Sequence, residues 1–413
     1  GDSMPSNDSV LRFLLASRLL TCRSLSAFLT IALTVMAGCS NSTGNSSPAI
    51  EKLRESIKNE FPVPGPPPVP ENNPQTVEKV VLGEALFFDP NLSSCGTVAC
   101  ASCHLPEMGF GDGERISDGC DGATGRRNSN TIYNSAYLSH LFWDGRVQSL
   151  EQQALGPIVD PAEMANTWDN VIHYLSTGEH PITEQRFPKS LEFYETLFDA
   201  VFSGEITSGN VAKALAAYER TVISQDSPYD RWLQGDDSAM SRAQKKGALI
   251  FFGRARCSEC HTPPSFTDSD FHNVAVPRGG FEKAELFPEN GRICGGIRAD
   301  ADPGRAELPF LQSSCSDLGK FKTPTLRNVE LSAPYMHNGT FSSLDSIMQH
   351  YWNAARGSTT PIVGEVDEQV HMIMLTDAGG HPDDFFNLVE FLKALTGSQI
   401  KGPPRGIAPP GGE

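Results

Sequence analysis

Two five-residue strings carry most of the chemistry legible in this chain: Cys100-Ala-Ser-Cys103-His104 and Cys257-Ser-Glu-Cys260-His261. The spacing C-x-x-C-H is that of covalent c-type haem attachment. On one helical turn the two thiols can add to the two vinyl groups of a haem, and the adjacent histidine then points its imidazole at the iron. Two copies, each with its histidine, make a chance match hard to sustain. Competing chemistries fit less well. A structural zinc site needs four ligands close together, whereas these pairs lie far apart. A thioredoxin-like dithiol needs no following histidine and sits in a β-rich setting that neither string has. The expectation is two covalently bound haem c groups, held by Cys100, Cys103 and His104 and by Cys257, Cys260 and His261, with the two histidines on iron.

Helices must position these residues, because strand signals are few. Leu191, Tyr194, Leu197, Phe198 and Val201 follow helical spacing, as do Val211, Leu215, Tyr218 and Val222, and Leu388, Val389, Leu392 and Leu395. Between such runs lie long Gly/Pro/Asp-rich connections, notably 109–125 and 276–319. A bound porphyrin supplies apolar core that secondary structure would otherwise provide. The fold class expected is mainly α, with two cytochrome c-like haem domains and long loops. Their boundaries are expected at 76–236 and 237–400, with a Pro/Gly-rich tail at 401–413.

The N-terminus agrees with haem attachment outside the cytoplasm. Arg12, Arg18 and Arg23 precede an uncharged apolar run from Leu25 to Gly38 that is too short to span a membrane. It closes on Met36-Ala37-Gly38-Cys39, which resembles a bacterial lipobox. Residues 1–39 therefore read as a lipoprotein-type signal peptide, with a lipid anchor on Cys39 and a location in the periplasm or cell envelope. Residues 40–75 read as a flexible Ser/Pro-rich tether. The chain has 50 acidic against 33 basic residues, net −17, which excludes a nucleic-acid binder and suits a basic redox partner. Of its ten cysteines, Cys95, Cys120, Cys294 and Cys315 remain after the haem, signal and lipid positions. An even remainder in an exported protein suggests disulfides. Proximity favours Cys95–Cys120 and Cys294–Cys315, although connectivity does not follow from sequence.

Further strings extend the pattern: Arg127-Asn-Ser129, Phe142-Trp-Asp-Gly-Arg146 and Leu155-Gly-Pro157 in the first half. The second half has Ser227-Pro-Tyr-Asp-Arg231, Thr323-Pro-Thr-Leu-Arg-Asn328 and Ala333-Pro-Tyr-Met-His-Asn-Gly339. From about Val80 to Gly397 the chain resembles the bacterial dihaem cytochrome c peroxidases, specifically their MauG-like branch. The resemblance implies that the N-terminal haem meets hydrogen peroxide and the C-terminal haem handles electrons. Cleaving the O–O bond needs an open iron position, a group that moves a proton, and hydrogen bonds for the leaving oxygen. Counted from Trp143, the family's distal glutamine and glutamate fall on Gln153 and Glu163. Trp143 itself lies where the family keeps a tryptophan between the haems.

The second haem's distal ligand is the most discriminating position. Ser342-Ser-Leu-Asp345 looks like a capping box opening a helix, on which Leu344, Ile347, Met348 and Tyr351 share a face. Counted from Tyr335, the MauG-like branch has tyrosine where this chain has Tyr351, and its peroxidase relatives have methionine. A phenolate favours ferric and higher states, whereas a thioether raises the potential. Met348, one turn away, is the competing ligand, and Met336 a weaker one. The distal histidine of reductively activated relatives would fall on Cys120, which a disulfide to Cys95 would remove from the iron. The resemblance also implies one calcium ion between the haems, on the Asn128 side chain and the Ser332 and Pro334 carbonyls, a hard oxygen-donor set. His337, His272, His140, His350 and His371 have no assigned role.

The leading expectation is thus an exported dihaem enzyme reacting with hydrogen peroxide at the N-terminal haem. It would reduce peroxide to water with electrons from a small cytochrome or other periplasmic donor, or oxidise a partner protein in the MauG manner. The alternative is a non-catalytic dihaem electron-transfer cytochrome, with both irons six-coordinate and no need for Glu163 or Gln153.

Overall fold

Short polar caps start most of the helices. The computed structural model describes residues 47–61, 64–277, 292–293, 297–298, 302–308, 315–359, 364–373 and 383–400. In chain order its helices are α1 (Pro48–Glu60), α2 (Val77–Phe87), the single turn α3 (Cys100–Cys103), α4 (Leu150–Val159), α5 (Trp168–Thr177), α6 (Pro188–Phe202) and α7 (Ser208–Glu219). They continue with α8 (Pro228–Leu233), α9 (Arg242–Phe251), α10 (Leu344–Ala355), the short α11 (Glu368–His371) and α12 (Asp383–Lys393). Thr76, Ser149, Thr167 and Thr207 each accept a hydrogen bond from the backbone N–H three residues on. Each such cap is worth about 1 kcal/mol. Among the described residues, strand content is confined to two antiparallel pairs of two residues, β1 (Phe271–His272) with β4 (Phe321–Lys322), and β2 (Arg292–Ile293) with β3 (Ile297–Arg298). The mainly α expectation holds.

Apolar residues collect into two large cores. The first is built from Leu82, Leu86, Phe87, Phe110, Tyr133, Val171, Leu175, Phe198 and Leu215. The second contains Trp232, Phe251, Phe266, Ile347, Leu388, Phe391 and Leu392. Each is centred on one crossing of two helices at very short range. A Cβ on Gly83 of α2 would lie 1.9 Å from the Ala214 carbonyl oxygen of α7, and a Cβ on Gly247 of α9 would lie 1.9 Å from that of Asn387 in α12. Only glycine lets these backbones meet, and the same device serves both halves.

One sequence reading changes here. The tether expected over 40–75 contains α1, which contributes Ile50, Leu53 and Ile57 to the second core. Those three residues stand at i, i+3 and i+7, a narrow apolar stripe in a charged segment. Such a stripe is marginal alone and stable once a core receives it. Arg54 of α1 pairs with Asp237 at 2.6 Å and lies over the Trp232 ring. The Cys95–Cys120 disulfide is present. Cys294 lies outside the described residues, and with it the expected pairing to Cys315. Residues 1–46 and 401–413, including the signal, the lipobox and the tail, lie outside them as well. No helix among the described residues is long and apolar enough to cross a membrane.

Candidate functional site

Both attachment motifs fold into one tight turn that aims the histidine. In the first, the His104 N–H donates to the Cys100 carbonyl at 3.0 Å; in the second, that of His261 donates to Cys257 at 2.9 Å. Each imidazole then places Nδ1 at 3.1 Å from a backbone oxygen, that of Phe110 for His104 and that of Phe266 for His261. A carbonyl only accepts, so Nδ1 carries the proton and Nε2 keeps the lone pair a metal needs. Phe110 and Phe266 reach back in this way from left-handed backbone, with φ of 58° and 54°. Non-glycine residues hold such a conformation only when the surroundings enforce it, and both rings are fully buried. Burial lowers both histidine pKa values and keeps the rings in the neutral, ligating form. It also raises the thiols of Cys103 to about 11 and Cys257 to about 12. None of the four motif cysteines is in a disulfide. Thiols, histidine and apolar walls fit a covalently bound haem at each motif.

The second motif opens onto a large apolar cavity. Cys257, Cys260 and His261 line one side, and Tyr351, Met348 and Ile347 of α10 the other. Burial raises the Tyr351 pKa, and Tyr351 lines the same cavity as both motif cysteines. Met348 is buried in the same wall, and Met336 also borders the cavity. The cap opening α10 sits one residue later than the sequence suggested. Ser343 and Ser346 form the capping box in place of Ser342 and Asp345, because Ser343 is the last extended residue before the turn.

The first site follows the same plan with a different distal wall. Leu141 bridges Val147 as Tyr335 bridges Phe341. Phe142 and Met336, and Gly145 and Gly339, share positive φ, and Ser149 and Ser343 are the matching N-caps of α4 and α10. In this register Trp143 matches His337, Ala154 matches Met348, and Pro157 matches Tyr351. A proline has no ligating atom. Aligning the two halves of the sequence would have revealed this contrast.

Gln153 lies partly buried on α4. Glu163 follows that helix, four residues beyond its last residue, Val159. Burial, then the neighbouring Asp160, push its carboxyl up to about 7, against a smaller pull from Arg146. The disulfide anchors this segment, since the Cys120 N–H donates to the Glu163 carbonyl at 2.8 Å.

Trp143 is buried and borders the second cavity. Its Nε1 donates to the Asn128 carbonyl at 2.8 Å, and its ring meets His337 edge-on at 6.4 Å. His337 stacks on Phe321 at 3.6 Å. Beside them Arg127 pairs with Asp144 at 2.6 Å and with Asp302 at 2.7 Å. This buried network has no signature in sequence, because Arg127 and Asp302 lie far apart along the chain. Asn128, Ser332 and Pro334, the set expected for calcium, all border the second cavity. The Asn128 amide nitrogen donates to the Glu114 carbonyl at 3.0 Å, which orients its side chain. Of the other unassigned histidines, Nε2 of His350 lies 2.9 Å from the Val274 carbonyl, and Nδ1 of His140 lies 3.1 Å from the Ser139 hydroxyl.

A family model for the di-haem cytochrome c peroxidases matches residues 77–238. The chain is 39% identical over 300 residues to the cytochrome-c peroxidase IdrP1 of Pseudomonas sp. strain SCT, spanning 70% of this chain and 76% of that protein. It belongs to the di-haem cytochrome c peroxidase family. The methylamine utilization protein MauG of Methylorubrum extorquens is 35% identical over 323 residues, spanning 78% of this chain and 80% of that protein. A solved MauG-like protein associated with microbial copper homeostasis superimposes with a TM-score of 0.65 at 29% identity, spanning 81% of this chain and 94% of that one. As a di-haem cytochrome c peroxidase the chain is a haem-dependent oxidoreductase, and the family implies two haem c groups, which the two motifs fit.

Proposed function

We propose that this di-haem peroxidase admits hydrogen peroxide at the first motif and passes electrons through the second. The observation that carries the proposal is the difference between two equivalent helices: Pro157 on α4 stands where α10 has Tyr351. When bound, haem supplies a redox-active iron at each motif, and at the first a coordination position for peroxide. Glu163, with a carboxyl poised near 7, takes a proton from the incoming peroxide and returns it to the leaving oxygen. Gln153 positions the peroxide by hydrogen bonding. Trp143 relays electrons across the gap, its indole proton retained because the Asn128 carbonyl cannot take it. Tyr351, which lines the second cavity, would ligate the second haem's iron as a phenolate and so favour ferric and higher states. The Asn128 side chain with the Ser332 and Pro334 carbonyls would hold a calcium ion as a hard oxygen-donor set at the edge of the second cavity.

Two outputs are open to this machinery: peroxide reduced to water with electrons from a small cytochrome or other donor, or oxidation of a partner protein. Tyr351 and the Cys95–Cys120 disulfide, which removes Cys120 as a ligand, favour the second. Export is proposed from the N-terminal signal, with Cys39 as lipid anchor. The test is addition of hydrogen peroxide to the ferric holoprotein while the Soret and near-infrared bands are followed. A rapid change at the first haem is expected. Two low-spin haems that ignore peroxide would leave only an electron-transfer cytochrome.

A further inference from the structure

His272 on β1 is not used by the mechanism above, yet it is one of the most tightly held side chains beside the second motif. Its Nε2 lies 2.9 Å from an Asp268 carboxylate oxygen and its Nδ1 lies 2.7 Å from one of Asp367. Carboxylates accept, so both ring nitrogens carry protons and the imidazole is a cation. Burial opposes that charge, but the two carboxylates outweigh it and raise the pKa. The His272 nitrogen, the Asp268 oxygen and the Cys260 sulphur lie within 4.8 Å of one another. Asp268 is itself tied to the motif, its N–H donating to the Cys260 carbonyl at 2.8 Å.

The other end of the bridge holds a wall. Asp367 precedes α11, and Gln369, Val370 and Ile373 from that segment line the second cavity. The Asp367 N–H donates to the Asn273 carbonyl at 3.0 Å, and Lys320 stands 3.7 Å from its carboxylate. His272 therefore joins the attachment loop, β1 and the α11 wall through one ring. The first motif is arranged differently. There Asp112 stands near Cys103 and accepts from the neutral hydroxyl of Ser117.

We propose that His272 is a positioning residue of the second haem: it pins the α11 wall to the attachment loop and places a positive charge at the thioether edge, raising that haem's reduction potential. The inference rests on the two-haem reading above. A nearby cation disfavours the ferric state by Coulomb repulsion, and a closed wall keeps water from stabilising it. With His272→Asn, the wall loosens and Asp268 and Asp367 are left with Lys320 alone. Both effects lower the potential.

The experiment is a spectroelectrochemical titration of the holoprotein. In His272→Asn the ferrous-to-ferric ratio of the second haem at the wild-type midpoint is expected to fall about tenfold, which is about 59 mV for one electron. His272→Lys, which restores a cation, should recover most of that loss. A His272→Asn protein with two covalent haems, unchanged ligand spectra and the wild-type potential overturns the proposal, as does a fall that His272→Lys leaves in place. If neither variant matures, Asp367→Asn decides: cleavage by a glutamate-specific protease at Glu365 or Glu368 should quicken severalfold, and wild-type cleavage overturns the pin. Wild-type protein with fewer than two covalent haems after denaturation sinks the two-haem reading instead.

Discussion

The two halves of this peroxidase are alike on the proximal side of each site and unlike on the distal side. His104 and His261 are held by the same carbonyl geometry at the same 3.1 Å. Gly83 and Gly247 allow the same close helix crossing. On the distal helices the likeness ends: Pro157 on α4 holds the position that Tyr351 holds on α10, where it lines the second cavity. Attachment is a backbone problem, solved once and used twice. Reactivity is decided by a few side chains placed on a common frame.

The sharpest way to break this comparison is at Glu163. Glu163→Gln should slow the reaction of the first haem with peroxide by on the order of a hundredfold or more, measured by stopped-flow absorbance, while the second haem keeps its spectrum. Wild-type rates would place the proton-moving group elsewhere. The pH dependence follows from the same carboxyl. Its ionised form accepts the first proton and its pKa is raised to about 7. The rate should therefore rise with pH up to about 7, level off above it, and lose that inflection in Glu163→Gln.

The likeness of the two frames is tested at the glycines. Gly83→Ala and Gly247→Ala each force a methyl group into a carbonyl oxygen, so each should cost on the order of 2 kcal/mol in denaturant unfolding. Loss in one half only would mean the crossings are not equivalent. The difference between the distal walls is probed most gently at Tyr351. Tyr351→Met should raise the ferrous-to-ferric ratio of the second haem about tenfold at fixed potential, roughly 59 mV. An unchanged potential and spectrum would take Tyr351 off the list of ligands and return attention to Met348.

Much of the site was legible before any coordinates, because haem attachment is local. Two thiols and a histidine within five residues need only one turn of backbone to act together. Helical spacing likewise announced α6, α7 and α12, whose apolar faces repeat within a few residues. The helix α1 was passed over for the opposite reason: Ile50, Leu53 and Ile57 make too narrow a stripe to announce a helix without the core that receives it. The Arg127–Asp144–Asp302 network and the His272 bridge were equally hidden. Each depends on a partner far along the chain, Asp302 for Arg127 and Asp367 for His272, and no spacing rule reaches so far.

By itself, then, the order of amino acids settled which residues can carry iron porphyrins and which class of chemistry they serve, since those properties depend on bonds and neighbours within a single turn. Tertiary structure decided the surroundings: a Glu163 carboxyl raised towards neutrality, and beside the second motif a phenol and a clamped imidazolium. Desolvation and Coulomb fields act through space, so only the folded chain can set them.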